Sequence, residues 1–185
     1  MMVNALTGFS PRDLYIPGSV GPFTSGVNSF VVPAGVDEIF VTGTGAGAGG
    51  GSQCGPNPGG NLYRSGGGGA GCIDYALPVV EGDTIEITIG VGGSYTCGSV
   101  GNSGSPGGDT LIKKNGSTVL TLGGAPSYVG GAGPLTGGTS SGYFGTPGYS
   151  GAQADAAIGT TYGAGGPAGS DFYYSGTSGY ARVEW

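Results

Sequence analysis

The chain contains no histidine. That absence removes the Ser-His-Asp and Cys-His arrangements that activate a nucleophile, and with them the commonest metal ligand. Cysteine is scarce and odd in number: Cys54, Cys72 and Cys97, with no Cys-x-x-Cys spacing. Such a set writes no zinc site, and no other metal or cofactor motif is present. Two readings of the thiols stay open. Either a Cys54–Cys72 or Cys72–Cys97 bridge forms after release to an oxidising medium, or all three pack as small apolar groups. Charge is low as well, at 9% of residues. Arg12, Arg64, Lys113, Lys114 and Arg182 are the whole basic complement of a chain with net charge −6, and they are scattered. No phosphate-tracking groove is written there, so nucleic acid is not an expected partner. No apolar run approaches a transmembrane length, so membrane insertion is not expected. Residues 1–10 lack the basic and apolar regions of a secretory signal, which reads as synthesis in a cytoplasm.

What the chain has instead is glycine, 47 residues of 185, with 12 prolines. Glycine loses the most backbone entropy on folding, roughly 0.5–1 kcal/mol against alanine in regular elements. A disordered reading is opposed by the low charge and by an apolar share of 37% that includes 11 tyrosines. Two runs place glycine at every third position: Gly98-Ser-Val-Gly-Asn-Ser-Gly-Ser-Pro-Gly107 and Gly142-Tyr-Phe-Gly-Thr-Pro-Gly-Tyr-Ser-Gly151. Three is the period of polyproline II, which rises about 3.1 Å per residue, and segments edged with glycine can lie backbone to backbone. Collagen needs a longer unbroken register with more proline, which these short runs do not supply.

Between the glycine blocks stand strand signals. Ser29–Pro33 and Glu38–Thr42 flank Ala34-Gly-Val-Asp37 and read as a β-hairpin. Ile73, Tyr75, Leu77 and Val79 alternate, with Pro78 indicating an edge strand; Ile85, Ile87 and Ile89 alternate after the turn Glu81-Gly-Asp83. Asn115-Gly116 between apolar runs predicts a two-residue type I′ hairpin. Tyr180–Trp185 alternates as a closing strand. The expected fold is all-β: a small β-sandwich or jelly-roll-like core of six or seven strands with long glycine-rich loops, partly packed polyglycine/polyproline II segments. Residues 1–26 stand apart. Phe9, Leu14, Tyr15, Ile16 and Phe23 are apolar anchors punctuated by proline, without strand or helix period. They read as an attachment or oligomerisation arm ahead of a 27–185 domain, or alternatively as a first strand plus loops of that domain.

Catalysis finds little support. Asp37, Glu38, Glu81, Asp83 and Asp109 sit beside turn or strand signals, where acids form turns and solvated faces. Asp155 and Asp171 lie in the glycine-rich tail and are placed like binding-loop residues. No glycine run ends in Gly-Lys-Ser/Thr, so there is no phosphate loop. The chain reads as a non-enzyme. Binding is better served. Tyrosine on glycine-flanked loops gives large amphipathic contact area at low entropy cost, and its ring face stacks on sugars. Tyr143, Phe144, Tyr149 and Tyr173 are the candidate exposed contacts, with Asp155 and Asp171 as polar partners; Tyr180 and Phe172 are expected in the core. Ice binding would need ranks of Thr or Ala at fixed spacing, and the runs do not supply them.

Taken together, Phe30–Val41 running into Gly43–Gly51, then Val80–Gly93, Gly107-Gly-Asp-Thr110 and Gly179–Trp185 resemble the glycine-rich domain of bacteriophage tail-fibre and tail-tip proteins. A more distant similarity is to the distal adhesins of T-even-type long tail fibres. The resemblance covers about residues 27–185. It implies a receptor-binding protein on a virion tail, made in the host cytoplasm, that adheres to bacterial surface glycan or an outer-membrane protein. It also implies a homotrimer, with residues 1–26 meeting other tail or fibre proteins. The alternative is a structural virion protein, a capsid decoration or connector, with no receptor of its own.

Overall fold

The computed structural model describes residues 17–53, 63–64, 66–98, 104–127, 163 and 175–185, with backbone alone at 52–53, 63–64 and 97–98. These residues form a β-sandwich, and no helix occurs among them. The strands are β1 (Ser19–Phe23), β2 (Val27–Val31), β3 (Glu38–Thr44), β4 (Gly51–Gln53), β5 (Tyr63–Arg64), β6 (Gly71–Pro78), β7 (Thr84–Thr88), β8 (Thr96–Gly98), β9 (Thr110–Lys114), β10 (Ser117–Leu122) and β11 (Tyr180–Glu184). One antiparallel sheet has the order β1-β11-β3-β6 and the other β10-β9-β7-β2, while β5-β4-β8 make a small third sheet. The core lies between the two large sheets. Ile39, Val41 and Val183 from the first sheet meet Ile85, Ile87, Ile112, Leu120 and Leu122 from the second, all essentially inaccessible to water. Burying each such side chain is worth about 1.5–3 kcal/mol.

The local signals hold where one strand pair settles them. Asn115 and Gly116 both take positive φ, 50° and 80°, as a type I′ turn requires, and Ser117 pairs with Lys114. Pro78 stands on the edge strand β6, where its missing N–H costs no ladder bond. The expected hairpin between residues 29–33 and 38–42 does not form. β2 pairs with β7 and β3 with β6 and β11, so the two strands belong to opposite sheets. Val32 still bonds to the β7 side, its N–H to the Asp83 carbonyl at 2.8 Å, whereas the Asp37 carbonyl already accepts from Val79 beside β6. The link through Pro33 and Gly35 therefore crosses the sandwich, and Val32 and Ile39 are buried on facing sheets rather than side by side.

A second departure lies in β6. Tyr75, Leu77 and Val79 turn inward as their alternation predicts, but Ile73 is 46% exposed and Cys72 takes the buried place. The cause is a bulge. Val41 pairs with Tyr75 and Gly43 with Cys72, so Ile73 and Asp74 together oppose Thr42. Asp74 has φ 49°, and its N–H donates to Thr42 Oγ1, which donates back to Asp74 Oδ1, both at 3.1 Å.

Strand register gives the sandwich two unlike ends. At one, Glu38 opposes Pro78, Ser19 opposes Glu184, and the turns at Gly35, Gly82 and Gly116 close the sheets. The chain enters there from residues 1–16. Gly18 and Trp185 exchange two backbone hydrogen bonds, and the Trp185 ring stacks on Phe30 at 6.0 Å. At the other end stand Thr44, Gly71, Thr88, Thr110, Leu122 and Tyr180, the last buried as expected. The glycine-rich segments issue from that end.

Candidate functional site

Beyond β3 the chain continues as Gly45-Ala-Gly-Ala-Gly-Gly50, a buried segment with no helix or strand. Its successive N–H groups point to different neighbours and repeat every third residue. Gly45 and Ala48 donate to the carbonyls of Ala70 and Gly67; Ala46 and Gly49 donate to those of Gly108 and Ser105; Gly47 donates to Thr177, all at 2.8–3.0 Å. In return, Ala125 donates to Ala46, Gly93 to Gly47 and Thr96 to Gly50. Three residues per turn, no internal hydrogen bonds and neighbours on all sides are the signature of packed polyglycine II. Segments 66–70, 90–95, 104–108, 123–125 and 175–179 thus surround 45–50 and also bond among themselves, as in Gly176 N–H to Gly93 and Gly107 N–H to Ala125.

This packing explains the glycine period. A Cβ on Gly107 would land on the carbonyl of Ala46, and a Cβ on Gly104, three residues earlier, on that of Gly49. The contact atoms are backbone, so no side-chain movement can make room. The lattice is thus present in the described part of the first period-three run. The second run, 142–151, lies outside the described residues.

The bundle is also the root of every long excursion of the chain. Residues 54–62 leave from β4 and return at β5; residues 99–103 leave from β8, whose Gly98 pairs with Gln53, and return at Gly104. The stretch that bears the aromatic loops leaves after Ser127, touches the bundle at Gly163, which accepts from Gly69 N–H and donates to the Ser178 carbonyl, and returns at Ser175, whose Oγ accepts from the N–H of Tyr95 at 3.4 Å. Tyr143, Phe144, Tyr149, Asp155, Asp171 and Tyr173 lie within it, outside the described residues, as does Phe172. Phe9, Leu14, Tyr15 and Ile16 likewise lie outside. Phe23 is described: it ends β1, pairs with Ala181 and packs against the core, so residues 19–23 take the first-strand alternative.

Among the described residues the bundle carries little charge: exposed Asp109 follows segment 104–108, and its Oδ1 accepts from the Gly124 N–H at 2.8 Å. Segments 45–50, 66–70, 90–95, 104–108, 123–127 and 175–179 carry no Asp, Glu, Lys or Arg. They present Val91, 75% exposed, with Ser94, Pro106 and Ser175 also exposed. Ser94 and Ser105 tie neighbouring segments together, with their hydroxyls 2.9 Å apart. Among the described residues, no group of three His, Cys, Asp or Glu could hold a metal ion. Cys72 is a buried free thiol in this structure. Burial, chiefly, pushes it up to about 11, with Asp74 adding to the rise and the Gly43 backbone opposing it; Sγ donates to the Val41 carbonyl at 3.3 Å. Of Cys97 only the backbone is described, and Cys54 lies outside the described residues.

No protein-family model matches the chain, and no curated protein matches it. Two features of the site escaped sequence reasoning. Gly45–Gly50 has no period-three glycine because it is the centre of the lattice, and Ser94, Ser105 and Ser175 come together only through packing. The one available signal was the uniform smallness of the blocks.

Proposed function

We propose that the protein is a host-surface adhesin of a bacteriophage tail fibre or tail tip, binding bacterial glycan or an outer-membrane protein through its tyrosine-bearing loops. One observation carries this reading. The loops that hold Tyr143, Phe144, Tyr149 and Tyr173 are rooted on the glycine bundle, at the end of the sandwich opposite the point where residues 1–16 join. A molecule held by its N-terminal segment would thus present the bundle outward. The lattice holds the loop roots rigidly, which lowers the entropy cost of binding. Its hydroxyl-bearing surface suits neutral sugars, whose hydroxyls and apolar faces match Ser, Tyr and Val.

The test is binding of the purified chain to intact bacteria and to extracted surface glycans, beside the variant Y143A/F144A/Y149A/Y173A. Saturable binding that the variant loses, with its fold retained, is the expected result. A well-folded chain that binds no surface would instead favour a decoration or connector role in the virion.

A further inference from the structure

Among the described residues, the two large sheets have between them four edge strands, β1, β6, β10 and β2. Edge strands invite pairing with other chains, and proteins blunt them with proline, bulges or charge. β1 contains Pro22 and a register shift after Val20. β6 has Pro78 and the Asp74 bulge. β10 is irregular between Thr118 and Leu120. β2 has no such device. It pairs regularly with β7 along its whole length, and no charged residue occurs from Leu14 to Val36.

The direction of its backbone is fixed by its flanks. Gly26 accepts from Ile89, and Val32 bonds with Asp83 and Gly82, so even-numbered residues turn their N–H and C=O groups toward β7. Residues 27, 29 and 31 then turn theirs outward from the sheet. Their side chains stand on the outer face, Val27 66% and Val31 61% exposed, with Ser29 exposed between them.

We infer that β2 pairs antiparallel with β2 of a second copy about a two-fold axis at Ser29. Three features select this occupant and register. The outer face reads Val-Ser-Val, the same in both directions, so Val27 meets Val31 of the other copy and Ser29 meets Ser29. Every outward N–H and C=O of residues 27, 29 and 31 then finds a partner, whereas a shift along the strand leaves some unpaired. The absence of charge lets two copies of an acidic chain approach here without local repulsion. An isologous patch of this kind closes on itself as a dimer. The second sheet becomes continuous across both copies, with the exposed valines gathered at its centre.

Sedimentation equilibrium of the full chain and two double variants tests this. The native chain should sediment as a dimer. V27K/V31K should be monomeric, because lysine faces lysine across the axis. V27K/V31E should dimerise again, because each introduced lysine then meets the introduced glutamate of the other copy. Both sites are exposed, so the circular dichroism of all three should agree, while the unfolding midpoint should rise with protein concentration for the native chain and V27K/V31E but not for V27K/V31K. S29C gives a second readout that survives a failure of either double variant to fold. A hydrogen-bonded antiparallel pair holds its Cα atoms about 5.5 Å apart, within disulfide reach. Added oxidant should therefore yield a peptide cross-linked between the two copies at position 29. A native monomer or trimer, a V27K/V31K dimer, a V27K/V31E monomer, or no cross-link in S29C would each overturn the pairing.

Discussion

Individual glycines differ in why they are needed. Gly107 has ordinary negative φ, yet a Cβ there would enter the Ala46 carbonyl. Gly35 has φ 82° and open space around its missing Cβ. Substituting alanine separates steric exclusion from conformational preference. G107A should cost about 3 kcal/mol or more, since both contact partners are buried backbone. G35A should cost only the left-handed penalty, about 1–2 kcal/mol. Urea unfolding with unchanged slope checks both, and equal costs would count against a packed lattice. Cys72 makes a second residue-scale case. Its thiol is neutral when folded up to about pH 11, against an ordinary value of 9.0. The folded protein should therefore leave Cys72 unalkylated by iodoacetamide at pH 8, as read by peptide mass mapping, while the denatured chain reacts. The sign of the linkage follows. The contribution of Cys72 is complete below pH 9.0 and is lost as pH rises toward 11, because only the unfolded thiol ionises in that range.

At the scale of elements, Asp83 joins the crossing from β6 to the β9–β10 hairpin. Its Oδ2 accepts from the Val80 N–H at 2.9 Å and its Oδ1 from Asn115 Nδ2 at 2.7 Å, with Lys114 Nζ 4.0 Å away. The Val80 bond first, then Asn115, and Lys114 last hold the carboxyl below its ordinary 3.8. A depressed carboxylate stabilises above its unfolded value, and that part is lost as pH falls through the folded one. Melting temperature should therefore fall with pH below about 4, and D83N should flatten this acid limb and lower the melting temperature at neutral pH. An amide offers one acceptor oxygen where two are used, so D83N sets an NH2 against a donor. An unchanged acid limb in D83N would remove Asp83 from the account. The same elements show what the sequence could reveal. Asn115-Gly116 was legible because both its neighbours in the ladder are its neighbours in the chain. The alternation of Ile85 and Ile87 was legible because one buried face suffices to write it. The link from β2 to β3 was not, since a hairpin and a crossing between sheets share strands, glycine and length, and differ only in distant partners. Ile73 was misplaced for a related reason: the bulge that turns it outward is fixed by Thr42, more than thirty positions earlier. The candidate aromatic residues were legible only as a composition on loops, because their placement depends on backbone packing that no side-chain pattern encodes.

For the whole molecule, the consequence is that sandwich and bundle cannot form separately. β3 runs without a break into Gly45–Gly50, and β11 begins where segment 175–179 ends. Gly90 at the head of one bundle segment receives the N–H of Gly179 and donates to Thr110 Oγ1 of β9. Among the described residues, segment 45–50 draws its partners from 67–70, 93–96, 105–108, 125 and 177, so its hydrogen bonds span the length of the domain. Opening the bundle would exchange its many amide hydrogen bonds for bonds to water, each at a net cost of about 0.5–1.5 kcal/mol. Glycine also gains the most backbone entropy once released, so partial opening would pass quickly into general loss of order. Amide hydrogen exchange distinguishes this from a stable sandwich carrying a loose glycine appendage. The amides of Gly45, Ala46, Gly47, Ala48 and Gly49 should exchange with the same opening free energy as those of Ile39 and Val41 in β3, the behaviour of one cooperative unit. G107A should lower both sets together. Fast exchange in Gly45–Gly49 beside protected β3 amides would show instead that the bundle opens on its own, and a rigid platform for the loops would then be lost as the basis of binding.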